Sequence, residues 1–341
     1  MFNHSLFLAL VSLIILACHT SKEDSIFRIE VDNSLSLTQK IDSVSFLIRS
    51  DSLNAYLYFQ RAELHLKNSA LNLGSIDLER SLELDPENTK YWFRLGVLNF
   101  SKQDTRAARD CWISCAALDS RNIDCRLNLA EMYLAVGELK KGQKLLNEIL
   151  EFHPKNSNAL FLTGNFALMS NDTTKAIKYI QSAINENQYF FEAYDQLGVI
   201  YSSKKNRLAI DYFNSALRLN PNRFDIHYKV GMFYQTIGFY DKAIKAYVRV
   251  LELSPSHELS MHNLGAIGIF IKDYQSAKKY FSMAIKHNAS FLEAYFGRAY
   301  TYELMGDVVS SESDYRTSLL LDPGYLPSIE GLSRLKSQIK D

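Results

Sequence analysis

Residues 224–257 read FDIHYKVGMFYQTIGFYDKAIKAYVRVLELSPSH, and residues 258–291 read ELSMHNLGAIGIFIKDYQSAKKYFSMAIKHNASF. Laid one on the other, Gly231 falls on Gly265, Ala243 on Ala277 and Tyr247 on Phe281. Within each stretch the apolar residues recur three and four apart, the spacing of one face of an α-helix. Each stretch divides into two such bursts with a polar turn between them. The same ruler extends in both directions. Pro86, Pro154, Pro221, Pro255 and Pro323 follow one another at 68, 67, 34 and 68 residues. Gly96, Gly164, Gly198, Gly231 and Gly265 follow at 68, 34, 33 and 34. Two residue types share one period, so the chain is built of a repeated pair of helices.

Each repeat pairs a small residue on its first helix with a small residue on its second: Ala62/Gly74, Gly96/Ala108, Ala130/Gly142, Gly164/Ala176, Gly198/Ala209, Gly231/Ala243, Gly265/Ala277 and Ala299/Ser311. Small side chains let two antiparallel helices approach closely, and bulky ones there would wedge them apart. Four residues past the second small residue stands a large one: Leu78, Trp112, Leu146, Ile180, Phe213, Tyr247, Phe281 or Tyr315. This pattern resembles the tetratricopeptide repeat. The resemblance covers residues 55–325 as eight repeats (55–88, 89–122, 123–156, 157–190, 191–223, 224–257, 258–291 and 292–325). It implies an all-α fold, a right-handed α-solenoid of helical hairpins. Each hairpin buries its apolar faces on its neighbours. The fifth repeat is one residue short, and the turn Ser203–Asn206 is where a deletion costs least. Residues 37–54 read as an N-terminal capping helix, and residues 326–341 as a C-terminal one with Pro327 in its first turn.

The first seventeen residues, MFNHSLFLALVSLIILA, carry an apolar run of signal-peptide length. The string Ile15-Leu16-Ala17-Cys18 resembles a bacterial lipobox, which implies cleavage before Cys18 and its lipidation. Residues 18–36 then form a polar tether, and Ser21–Asp24 resembles the export tag of surface lipoproteins. The expected address is the cell envelope, on an outer membrane. Past Cys18 no stretch reaches membrane-spanning length.

The chain has 341 residues, with 38 Lys+Arg against 38 Asp+Glu. That zero balance argues against a nucleic-acid partner, which needs a basic footprint. Its composition is neither that of a disordered chain nor that of a disulfide-dense mini-protein. Catalytic motifs are missing: there is no phosphate-binding Gly loop, Gly-x-Ser-x-Gly elbow or His-Glu-x-x-His. The eight His are scattered, so no metal and no cofactor is expected. Cys111 and Cys115 lie one helical turn apart and Cys125 lies on the next helix. They read either as small core residues or as a disulfide of Cys125 with Cys111 or Cys115 in an oxidising compartment.

The resemblance implies that the second, fifth, ninth and twelfth residues of each repeat line a concave groove for protein or peptide segments. The fifth residues are Phe59, Phe93, Leu127, Phe161, Asp195, Tyr228, His262 and Phe296. The ninth are Glu63, Val97, Glu131, Asn165, Val199, Met232, Ala266 and Tyr300. This stripe is apolar and aromatic with a few acids, and it serves either an exposed groove or inter-repeat packing. It lacks the basic cluster with which co-chaperone repeats clamp a C-terminal carboxylate. The expected function is a membrane-anchored scaffold in envelope or surface assembly. One alternative is a glycan-binding surface lipoprotein, but repeats of 33–34 residues leave no room for the long loops such proteins carry. The other is a passive spacer. Composition and motifs leave the oligomeric state open.

Overall fold

A computed structural model describes residues 35–338, so the expected signal peptide, Cys18 and the expected tether up to residue 34 lie outside the described residues. Eighteen helices and no strand occur among the described residues. The chain divides into two compact units that part between Lys102 and Gln103, at the turn of the second repeat. The first unit holds α1 (Leu37–Ser50), α2 (Ala55–Lys67), α3 (Leu71–Leu84) and α4 (Thr89–Ser101). The second holds α5 (Thr105–Leu118), α6 (Ile123–Ala135), α7 (Leu139–Phe152), α8 (Ser157–Met169), α9 (Thr173–Glu186), α10 (Phe191–Ser203) and α11 (Leu208–Leu219). It continues with α12 (Phe224–Thr236), α13 (Tyr240–Leu253), α14 (Glu258–Phe270), α15 (Tyr274–His287), α16 (Leu292–Met305), α17 (Val308–Leu321) and α18 (Leu326–Gln338).

One turn recurs between the two helices of every repeat. Its fifteenth residue is left-handed in all eight: Ser69, Gln103, Gly137, Asn171, Lys205, Gly238, Lys272 and Gly306 have φ between 52° and 81°. In six of the eight the next residue's N–H reaches back to the carbonyl five residues earlier, as from Ala70 to His65 (2.9 Å) and from Phe239 to Tyr234 (2.8 Å). This bond satisfies a carbonyl that the helix end leaves open, and it reverses the chain. Only three of the eight residues are Gly, so the geometry is imposed by packing rather than by the turn residue alone.

The fifth repeat keeps this turn whole. Asn206 still donates to the Tyr201 carbonyl (2.9 Å), and the missing residue is taken up afterwards. Ala209 bonds back three residues to Asn206 (3.0 Å), where Gly74 bonds back four to Ala70. The deletion therefore lies in the first turn of α11, beyond the Ser203–Asn206 turn. The first N–H groups of a helix have no intrahelical partner, so tightening there sacrifices least.

The large residues four past each small pair form the core. Tyr247 and Tyr315 have no solvent exposure, and Phe213 and Phe281 are nearly as buried. The helix at either end of the described chain keeps the register of the repeats. In α1, Ser45 accepts from Arg61 Nη1 (3.2 Å) while Arg61 grips Asp77 with its other nitrogens (2.7 and 2.8 Å). Ser282, Arg298 and Asp314 form the same trio at 3.1, 2.7 and 2.9 Å. Thus α1 stands where a second helix stands. In the same way α18 stands as a first helix, and Arg334 holds Glu303 through two bonds (2.9 and 3.0 Å).

Candidate functional site

Residues two, five, six and nine of a first helix share one face, because they are three and four apart. In the third and fourth repeats these positions converge on a hollow of about 300 Å³ between α6 and α8. Asp124, Asn128, Glu131 and Asn158 give it a polar rim, and Leu127, Phe161 and Leu162 give it apolar walls. The sixth position was absent from the face read from the sequence. Its signal is the four-residue step from position two.

The fifth-position side chains serve mainly the seam between repeats. Phe161 meets Phe190 at 4.9 Å between ring centroids, Tyr228 meets His257 at 5.0 Å, His262 meets Phe291 at 5.4 Å and Phe296 meets Tyr325 at 5.6 Å. In each pair the second ring is the last residue of the same repeat. Earlier in the chain this last residue is Asn88, Asn122 or Asn156, whose side chain instead caps the following helix. Leu127 is buried. In the first unit, Phe59 is buried and stacks on Tyr91 at 4.9 Å, while Phe93 and Val97 are half-buried.

Several candidate polar residues are engaged by the neighbouring repeat. Glu63 accepts from Arg94 Nη2 at 3.0 Å. Both Asp195 carboxylate oxygens accept from Lys229 Nζ at 2.7 Å. Tyr228 accepts from Asn263, which also donates to Tyr247 (3.3 and 3.1 Å). Burial holds His257 and His262 below the usual imidazole range, so both rings are neutral at pH 7. Tyr300 lies parallel to Phe296 with the Arg334 guanidinium 5.8 Å from its centroid. Glu131 and Met232 are exposed, and Asn165 is half-buried.

Cys115 and Cys125 are bonded, with Cα atoms 6.1 Å apart, so a disulfide ties α5 to α6. Cys111 is buried one turn away, outside that bridge. No group of three His, Cys, Asp or Glu among the described residues is arranged to hold a metal. No described helix is long and apolar enough to cross a membrane.

Family profiles for the tetratricopeptide repeat match residues 127–189, 191–223 and 224–257. Residues 127–257 therefore carry tetratricopeptide repeats. The chain's tetratricopeptide array is similar to the C-terminal part of a TPR repeat-containing protein from Cytophaga hutchinsonii. That likeness has a TM-score of 0.60 and 22% identity, over 70% of this chain and 99% of that one. Among curated proteins it is 24% identical over 233 residues to anaphase-promoting complex subunit 3 of Schizosaccharomyces pombe, covering 67% of this chain and 35% of that protein. It is 24% identical over 227 residues to the peroxisomal targeting signal receptor of Saccharomyces cerevisiae, covering 64% and 37%. The chain thus spans little more than a third of these relatives.

Proposed function

We propose that this protein is a lipid-anchored scaffold of the cell envelope that binds protein or peptide segments along the face of its first helices. The observation that carries the binding role is the hollow between α6 and α8, where residues of the same repeat positions converge. Stacked helices hold such a face in place before a partner arrives, which lowers the ordering cost of association. The relative named as a targeting-signal receptor supports a role in recognising segments of other proteins. The absence of catalytic motifs favours binding over an enzymatic role.

Two lines support the address. Residues 1–18 read as a lipoprotein signal ending at Cys18. The Cys115–Cys125 bond suits an exported, oxidising compartment. Membrane fractionation of the wild type beside Cys18→Ser tests the anchor. Loss of the variant from the membrane pellet is expected, and its full retention would refute lipidation at Cys18. For the binding role, site-specific crosslinkers at Glu131 and Met232 should trap the same client in native envelopes. Crosslinkers on the outer faces of second helices that trap that client equally well would refute it.

A further inference from the structure

The first-helix face of the second unit differs in charge from the rest of the molecule. The whole chain is neutral, but positions two, five, six and nine of repeats three to eight hold six acids and one lysine. That lysine, Lys229, is consumed by Asp195. Asp225 is neutralised by Arg223, which grips both its oxygens at 2.8 Å and holds its carboxyl below the usual range. Four acids remain: Asp124, Glu131, Glu192 and Glu293. All four are exposed and none has an ion-pair partner among the described residues. His257 and His262, neutral through burial, do not offset them. Between the acids stand three exposed apolar side chains, Val199 (39% exposed), Met232 (46%) and Leu259 (47%).

We infer that the partner of this face is a basic, extended polypeptide segment, with Lys or Arg side chains flanking aliphatic anchors. The inference rests on the binding role proposed above and adds the chemistry of the ligand. Acids at both ends of the row, in repeats three and eight, repel an acidic chain and attract a cationic one. Methionine and aliphatic side chains between them offer an adaptable apolar patch, with Met able to fit varied shapes. A polyanion such as RNA meets the wrong sign along the whole row.

Three fluorescein-labelled dodecapeptides test this with the full chain. They share two leucines and a serine spacer, and carry four lysines, four glutamines or four glutamates. By anisotropy at low salt, the lysine peptide should bind roughly tenfold more tightly than the glutamine peptide, from several exposed pairs acting together. Half-molar salt should erase most of that advantage. The exposed variant Asp124→Asn/Glu131→Gln/Glu192→Gln/Glu293→Gln should remove it, so that the lysine and glutamine peptides bind alike. The exposed variant Val199→Ser/Met232→Ser/Leu259→Ser should weaken the lysine and glutamine peptides alike. Circular dichroism confirms that both variants are folded. Equal or tighter binding of the glutamate peptide would overturn the charge inference and leave the binding face standing. Failure of all three peptides to bind would overturn both.

Discussion

Gly231→Ala should destabilise the protein, although it replaces a poor helix former with the best one. A Cβ at position 231 would lie 2.6 Å from Tyr247 Cε1 and 2.7 Å from Cδ1. Tyr247 has no room to yield. It is fully buried among Ala243, Leu264 and Ile267, and its hydroxyl donates to Gln235 (2.7 Å) and accepts from Asn263 (3.1 Å). Helix propensity returns about 1 kcal/mol. Overpacking costs about 1–3 kcal/mol. Moving the ring weakens two hydrogen bonds worth about 0.5–1.5 kcal/mol each. The expected net loss is about 2 kcal/mol. The sequence itself supplies the rescue. Where repeats one and three carry Ala62 and Ala130, their large residues are Leu78 and Leu146. Gly231→Ala/Tyr247→Leu recreates that pair, so the double variant should be more stable than the sum of the singles by at least about 1 kcal/mol. Urea melts of the four proteins measure the coupling, and amide exchange in α12 and α13 localises it, since stacked repeats can unfold in parts. Additivity within about 0.5 kcal/mol, or a Gly231→Ala protein more stable than wild type, would refute the close-approach argument.

Lys272→Gly should stabilise the protein by up to about 1 kcal/mol, because a left-handed lysine (φ 63°) carries strain that Gly relieves at a smaller unfolded-state cost; the converse Gly238→Lys should destabilise, and thermal melts check both. Burial pushes Glu303 up, but its bonds from Arg334 and Tyr315 outweigh this and hold it below its ordinary 4.5. Its contribution is therefore present above the unfolded value and lost as pH falls through the lower folded one, so melts between pH 7 and pH 3 should be steeper for wild type than for Glu303→Gln. Reducing Cys115–Cys125, which closes a loop with a sequence separation of 10, should cost about 2–3 kcal/mol by the chain-entropy relation. A Cys115→Ala/Cys125→Ala protein as stable as the oxidised wild type would count against that cost.

The period, the hairpins and the core could be read before any coordinates, because close helix approach demands small residues at fixed places and the sequence has them eight times over. Other features were hidden for specific reasons. Cys111 and Cys115 lie one turn apart on α5, so only the path of residues 119–122 decides which of them reaches Cys125. The Asp195–Lys229 pair joins residues 34 apart that no local pattern links. The fifth-position rings were ambiguous because each partner ring sits 29 residues later, on the short connection before the next helix. The deletion in repeat five was visible as a missing residue, but its location depended on which hydrogen bonds the turn could least spare.

On the proposed reading, what inter-repeat packing leaves over is the surface a partner meets. Phe161, Tyr228, His262 and Phe296 are the residues a search for aromatic hot spots would choose first. Each already has a ring partner within its own repeat. Replacing them with Ala would open the seams, and lost binding would then report lost structure. The side chains not committed to neighbours are Asp124, Glu131, Glu192 and Glu293 and the apolar group of Val199, Met232 and Leu259. Substituting these costs little stability, because surface changes away from packed or bonded groups usually stay within about 0.5 kcal/mol. On the proposed reading, binding specificity rests on this sparse set of exposed residues while the aromatic seam holds the repeats together, so the two can be varied independently.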